Sequence, residues 1–364
     1  MGRLAGLDSA RGVAILGILL ANIPSFSGPA IGEAFGALQR SHGAEAVLEG
    51  ITLAFVTGKC RGLLALLFGV GIAMQFANAM SWPARYPRRC LVLAVIGLLH
   101  GLLIWFGDIL LPYALTALIV SMMISWPTHR VLKVIKWMFG ACVVIGLLIS
   151  LPSAEASSGG EGAKILQREI SAFSTGSYLE QVGLRVAMLP LTFMIAALLQ
   201  LHLIPVFLAG VLLYRSGIVT NPQSNPTLTS KVLKWSFGLG IPLNLLGLLT
   251  IPSGTANSVA GLWEIGFAPI LAVGLLIGLQ VIAHSNQMRS LIAALANVGR
   301  FALTNYIAQS ILCTTLFYGL RLFNKTSPTF DLVVVVCVWI VNLGLGWLLA
   351  RRGRTGPLER ALRA

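Results

Sequence analysis

The chain contains ten stretches of about 20 mostly apolar residues, joined by short polar segments. A helix of that length crosses the hydrocarbon layer of a bilayer, where a helix satisfies all of its own backbone hydrogen bonds. We therefore predict an all-α polytopic membrane helix bundle with about ten transmembrane helices, forming a single integral-membrane domain over 1–364. The stretches are 10–27, 54–79, 90–106, 109–126, 132–151, 186–213, 232–251, 260–283, 301–320 and 331–350.

The charge pattern gives an orientation. Only 10% of the residues are charged and 56% are hydrophobic, yet the formal net charge is +14. Short cytoplasmic loops collect Lys and Arg, and most of the 26 basic residues fall on one side if both termini are cytoplasmic. We predict a multi-pass protein of the bacterial cytoplasmic (inner) membrane, with the lipid bilayer and no nucleic acid as partner. Segments 28–50 and 152–181 are then extracytoplasmic loops, and 351–364 is a cytoplasmic amphipathic tail.

The first apolar stretch carries polar residues on one helical face. Asp8, Arg11 and Asn22 recur at helical spacing, and Asp8 and Arg11 are close enough in sequence to form an ion pair. Asn22 lies about 21 Å further along the helix than Asp8. One interpretation is a topology-fixing pair with an amide that hydrogen-bonds a neighbouring helix, and the other is a binding face.

The second stretch places two cations near its predicted outer end. Lys59 and Arg61 either reach the lipid head groups, bind an anionic substrate, or pair with Asp108. Gly58, Gly62 and Gly69 in the same stretch are typical of close helix packing.

His100 lies inside the third stretch, flanked by Gly97 and Gly101. Asp108 follows in a predicted outer turn, with Tyr113 just beyond it. Eight residues of continuous helix would separate His100 from Asp108 by about 12 Å, so we expect the two to border one outward-opening cavity without direct contact. An imidazole titrates near neutrality and suits acid–base chemistry, although many membrane histidines only bridge two helices.

The ninth stretch is the most polar. Asn305 and Gln309 are one turn apart, and Arg300 precedes them. They line the same cavity or hydrogen-bond between helices. The five cysteines show no metal-ligand spacing, so we predict packing roles for them, no metal site and no bound cofactor.

Five motifs, in order along the chain, carry a family resemblance. They are LDSARGVAILGILLANI, GKCRGLLALLFGVGIAM, GLLHGLLIWFGDILLPYAL, VGRFALTNYIAQSILCTTLFY and GPLE. Together they resemble the YeiB family of bacterial inner-membrane proteins, a family of unknown function. The middle of the chain, about 127–290, matches only in its hydropathy.

That family in turn resembles the transmembrane acyltransferases, including those of polysaccharide O-acylation and the lysosomal heparan glucosaminide acetyltransferase. The resemblance implies transfer from a cytoplasmic donor, with acyl-CoA as co-substrate and a histidine as base. Asp8 and Arg11 then bind the donor, and the acceptor is a small molecule or glycan. Those enzymes of polysaccharide acylation have a histidine where this chain has Asn22, so either His100 or, less favourably, His42 has taken its role, or acyl transfer has been lost.

The leading hypothesis is thus an acyltransferase-like enzyme with His100 and Asp108 as catalytic residues. Its predicted cavity-lining residues are Asn22, Lys59, Arg61, Tyr113, Arg300, Asn305 and Gln309. The alternatives are a small-molecule transporter or exporter that uses the same polar residues, and a membrane scaffold without chemistry.

Overall fold

The computed structural model describes most of the chain, namely residues 5–30, 44–77, 86–149, 161–246, 266–285, 288–353 and 355–362. Within these ranges the protein is all helical, which confirms the predicted fold class. His42, residues 31–43 of the predicted loop 28–50 and residues 152–160 of the predicted loop 152–181 lie outside them. The side of the membrane on which these loops lie stays a prediction.

Fifteen α-helices are described. The first eight are α1 (Ala5–Ser27), α2 (Ala44–Phe55), α3 (Lys59–Ala77), α4 (Tyr86–Leu103), α5 (Leu110–Met123), α6 (Thr128–Ile149), α7 (Glu161–Ser174) and α8 (Tyr178–Ala187). The others are α9 (Leu189–Arg215), α10 (Pro226–Leu246), α11 (Ala268–His284), α12 (Arg289–Arg300), α13 (Ala302–Thr314), α14 (Pro328–Arg351) and α15 (Pro357–Ala361).

Several of these helices can cross a bilayer. Five described stretches are long and apolar enough: α1, Gly50–Ala77, α4, α9 and α14. The pair α12 and α13 adds a sixth if it is one span, bent by 79° at Phe301. The chain is therefore a membrane protein, and the count of about ten spans stays a prediction. Of the sixth predicted stretch, residues 189–213 lie in one helix, α9, which contains Pro190 and Pro205, and residues 186–187 end α8.

Glycines let the central helices touch through their backbones. A Cβ at Gly12 of α1 would overlap the carbonyl oxygen of Leu295 in α12, and a Cβ at Gly299 would overlap that of Asp8. Gly69 of α3 meets the carbonyl of Phe207 in α9 in the same way. Because no larger residue fits, these glycines fix how closely the helices approach.

Gly58 has a different role from the packing role predicted for it. Its φ of 77° is left-handed, so it turns the chain between α2 and α3 instead of lying on a helix face. Gly62 does pack closely, since a Cβ there would lie 3.3 Å from Cβ of Ala272.

Candidate functional site

The imidazole of His100 and the carboxylate of Asp108 form a buried pair. The distance from Nδ1 to Oδ1 is 3.0 Å, His100 is 1% exposed and the Asp108 side chain is 5% exposed. The expectation that the two residues do not touch was therefore wrong. Asp108 does lie in the turn between α4 and α5, although its side chain is buried, and the location of this turn on the outer side of the membrane stays a prediction. The estimate of about 12 Å assumed a continuous helix from His100 to Asp108. It does not apply because the helix ends between the two residues.

The local fold explains the contact. Helix α4 ends at Leu103, and the carbonyl of His100 accepts from the backbone N–H groups of Ile104 and Trp105, each at 2.9 Å. The chain then folds back along α4. A Cβ at Gly97 would lie only 2.7 Å from Oδ2 of Asp108, so a glycine is needed for the return segment to fit. Oδ2 also accepts from the backbone N–H of Leu111 at 2.8 Å, which holds Asp108 at the start of α5.

This arrangement leaves one imidazole nitrogen available. When Nδ1 donates its proton to Asp108, a neutral imidazole carries its lone pair on Nε2. Nε2 is buried and has no hydrogen-bond partner in the described part of the chain. The ring of Tyr306 lies 5.1 Å from the imidazole, centre to centre, and the Tyr306 hydroxyl accepts from the backbone N–H of Ile109 at 3.4 Å. The pair thus has the form of a histidine base oriented by a carboxylate.

Tyr306 also lines a cavity of about 290 Å³. It extends along α3 from Gln75 to Leu64, eleven residues or about 16 Å. Most of its wall is aliphatic or aromatic, and it reaches Ile109 and Tyr306, the direct neighbours of the buried pair. His100 itself is not among the lining residues, which are Asp8, Arg11, Ile15, Leu64, Leu67, Phe68, Gly71, Gln75, Tyr86, Arg89, Cys90, Leu93, Ile109, Leu110, Ala117, Gly299, Arg300, Ala302, Leu303, Tyr306, Glu359 and Leu362.

Charged side chains gather at the helix ends that border this cavity. Nη1 of Arg11 lies 2.8 Å from Oδ1 of Asp8, which confirms the predicted ion pair. Nη1 of Arg89 donates to Oε1 of Gln75 at 3.1 Å, and the guanidinium carbon of Arg300 lies 5.3 Å from the centre of the Phe301 ring. We call this region, defined by Asp8, Arg11, Arg89, Arg300 and Glu359, the charged end of the cavity.

Comparison with known proteins shows the kinship of the chain. A family model described as "Protein of unknown function (DUF418)" matches residues 213–364. The uncharacterized protein YeiB of Escherichia coli (strain K12) is 30% identical over 398 aligned residues, which cover 99% of this chain and 95% of YeiB. The chain belongs to the YeiB family. The uncharacterized protein YxaH of Bacillus subtilis (strain 168) is 27% identical, with 98% of this chain and 92% of YxaH covered.

The predicted site residues of this YeiB-family protein separate into two groups. Asp8, Arg11 and Arg300 line the cavity. The other predicted lining residues do not line it: Asn22, Lys59, Arg61, Tyr113, Asn305 and Gln309.

One of the two cations of the second stretch, Lys59, is bonded within the protein. Lys59 is 1% exposed, and its ammonium donates to the carbonyl of Leu53 at 2.6 Å, at the end of α2. The hydroxyl of Tyr113 donates to the carbonyl of Arg61, also at 2.6 Å. Within the described ranges, Asp108 bonds only to His100 and Leu111, so of the three alternatives for Lys59 and Arg61 the pairing with Asp108 was wrong.

Asn305 and Gln309 belong to an amide network between helices. Nε2 of Gln309 donates to Oδ1 of Asn342 at 2.7 Å, and Nδ2 of Asn342 donates to Oδ1 of Asn305 at 3.1 Å. Nδ2 of Asn305 donates to the carbonyl of Val298 at 3.0 Å. The network joins α12, α13 and α14 and so supports the helix that carries Tyr306. This is the inter-helix alternative that the sequence allowed.

Asn342→Leu is expected to destabilise the protein without changing the cavity lining. The change leaves the side-chain oxygen of Asn305 and the side-chain amide of Gln309 without their shared partner, which costs about 1–2 kcal/mol in a membrane helix bundle. The thermal unfolding midpoint in detergent measures the loss. An unchanged midpoint would show that the network contributes nothing to stability.

Sequence reasoning did not assign three charged or amide side chains of the cavity wall to the site. They are Gln75, Arg89 and Glu359. Gln75 is an amide near the end of an apolar stretch, and Glu359 belongs to the GPLE motif of the tail, so both carried a signal. In the described part of the chain, no group of three or more His, Cys, Asp and Glu residues is arranged to hold a metal ion.

Proposed function

We propose that this YeiB-family protein is an acyltransferase of the bacterial inner membrane. It transfers an acyl group from acyl-CoA at the cytoplasmic face to a small-molecule or glycan acceptor at or across the membrane. The observation that carries the proposal is the position of the His100–Asp108 pair directly behind the wall of a cavity whose other end is rich in arginine.

The two parts of the cavity suit the two parts of such a donor. Arginine forms charge-assisted, often bidentate hydrogen bonds with phosphate, so Arg11, Arg89 and Arg300 suit the phosphorylated head. The apolar wall formed by residues such as Leu64, Leu67 and Leu110 suits an acyl chain. The charged end coincides with the side that the charge pattern predicts to be cytoplasmic.

The chemistry assigned to the pair is general base catalysis. His100 Nε2 takes the proton of an acceptor hydroxyl, whose oxygen attacks the thioester carbonyl, and the CoA thiolate leaves. The products are an acyl ester and CoA, and the imidazolium returns its proton to the thiolate. Asp108 holds Nδ1 and stabilises the imidazolium. Since Tyr306 and Ile109 form the wall beside the pair, the reaction requires this wall to open for the substrates.

The test is acyl transfer by the purified protein in proteoliposomes. Radiolabelled acyl-CoA is supplied with lipids and glycans extracted from bacterial membranes, and both free CoA thiol and labelled product are quantified. Thiol release that needs acceptor and matches labelled product supports the proposal, whereas acyl-CoA that neither binds nor reacts contradicts it.

Transport of an anionic solute is the second candidate function. The cavity reaches charged helix ends on one side and is bounded by Tyr306 on the other, as in a carrier that is open to one side at a time. Accumulation of an unmodified anion inside vesicles, with no covalent product, would favour this function.

Arg300→Gln is expected to weaken binding of acyl-CoA by roughly tenfold, because a charge-assisted hydrogen bond contributes about 1.5 kcal/mol or more. Isothermal titration on the detergent-solubilised protein measures the change. Arg168→Gln is the matched control, since it removes the same charge from the exposed surface of α7. Equal affinities of the two variants would exclude Arg300 from the donor site.

A further inference from the structure

The C-terminal segment 355–362 forms part of the cavity wall. It contains α15, and two of its side chains, Glu359 and Leu362, line the cavity together with residues of α1, α3, α4, α5, α12 and α13. The segment follows α14 after a turn in which Gly353 has a left-handed φ of 61°. A short helix, joined by a turn to the end of the last long helix, therefore bounds the charged end.

Glu359 attaches this segment to the start of α13. Its Oε1 accepts from the backbone N–H of Thr304 at 3.0 Å, and its Oε2 accepts from the Thr304 hydroxyl at 2.6 Å. Thr304 is the third residue of α13, where backbone N–H groups have no partner within the helix and negative charge is favoured. The fold-back is tight, because a Cβ at Gly356 would overlap Oε2 of Glu359.

The carboxylate of Glu359 therefore lies at the end of the cavity that also contains three arginines, Arg11, Arg89 and Arg300. Arg11 is paired with Asp8, whereas Arg300 has an aromatic ring as its described contact. An anionic head group entering the charged end comes close to the carboxylate of Glu359, which lines the same end and disfavours a second negative charge there. The Glu359 carboxylate and the anionic head group of a ligand therefore compete for this end of the cavity.

We infer that the C-terminal segment is a displaceable plug, in which Glu359 competes with the anionic head group of an amphiphilic ligand for the charged end of the cavity. The ligand class is an alkyl or acyl chain with a phosphate-bearing head. The inference rests on the proposed function only in identifying that ligand as the acyl donor. If the plug must leave before the ligand binds, only the molecules whose plug is displaced can bind. The apparent Kd is then the intrinsic Kd divided by the fraction of such molecules.

The first test measures binding of decyl phosphate to the full-length protein in nanodiscs of neutral lipid. Glu359→Gln keeps the size of the side chain and removes the competing charge, so we expect decyl phosphate to bind roughly three- to tenfold more tightly. Glu180→Gln is the matched control. Glu180 also accepts a backbone N–H at a helix start, at 2.5 Å in the capping box of α8, but it does not line the cavity.

The second test uses the protein without a substitution at Glu359. Spin labels at Ala361 and at the exposed His129 report the position of the plug by their distance distribution. Saturating decyl phosphate is expected to shift this distribution, and neutral decanol is expected to leave it unchanged. Unchanged or weaker binding in Glu359→Gln, no binding of decyl phosphate, or an unmoved label at saturation would overturn the inference.

These outcomes are separable from those of the proposed function. If decyl phosphate displaces the plug but no acyl transfer is found, the inference about the plug is supported and the proposed acyltransferase activity is contradicted. If acyl transfer is found and the plug does not move, the proposed activity is supported and the inference about the plug is contradicted.

Discussion

His100→Gln is expected to lower the rate of CoA thiol release during acyl transfer by about 10²- to 10⁴-fold, the usual contribution of a positioned general base. Glutamine is close to histidine in size and can still accept a hydrogen bond, but it cannot hold the proton of the acceptor hydroxyl. Binding of acyl-CoA should change little, because the cavity lining does not include His100. The rate is measured by thiol release at saturating donor.

Asp108→Asn tests whether the pair acts as a unit. The amide loses the charge that stabilises the imidazolium and can favour the wrong tautomer, so this variant should also be slow. The double variant should be no slower than His100→Gln alone, since residues that act together are not additive. His129→Gln, at an exposed histidine of α6, is the control. Near-normal turnover in His100→Gln would show that His100 is not the general base.

Gly299→Ala is expected to destabilise the protein by about 2–3 kcal/mol, near the upper end of the usual cost of overpacking. The added Cβ would overlap the backbone carbonyl of Asp8, which cannot move aside as a flexible side chain would. Helices α1 and α12 would have to separate, and Asp8, Arg11 and Arg300 would move apart at the charged end. The apparent unfolding midpoint in detergent and the affinity for acyl-CoA should therefore both fall.

Gly344→Ala in α14 is the matched control for this substitution. A Cβ at Gly344 meets no atom within 4 Å, so alanine should be neutral or slightly stabilising. If both alanine variants unfold at the same temperature, the close approach of α1 and α12 does not determine stability.

The sequence predicted the features that depend on local spacing. Apolar stretches predicted the helices, and the three-residue separation of Asp8 and Arg11 predicted their ion pair, because neighbours on one helix face are fixed by helix geometry. Gly97 and Gly101, which flank His100 in the sequence, both lie against the segment that carries Asp108.

Features that depend on chain reversal or distant contacts were not predictable in this way. The His100–Asp108 contact depends on where α4 ends and how residues 104–109 return, which helical periodicity does not encode. Glu359 and Thr304 are 55 residues apart, and their contact follows from the docking of the tail. Asn305 and Gln309 were recognised as polar, but their partner Asn342 is on another helix. The sequence alone therefore did not decide whether they line a cavity or form hydrogen bonds between helices.

We propose that His100 and the cavity together move an acyl group from donor to acceptor. The most direct measurement is the mass of the acceptor after incubation of proteoliposomes with acyl-CoA and membrane glycans or lipids. We expect an acceptor that is heavier by one acyl group with the unaltered protein and an acceptor of unchanged mass with His100→Gln. An acceptor of unchanged mass in both, together with accumulation of an unmodified solute inside the vesicles, would contradict it.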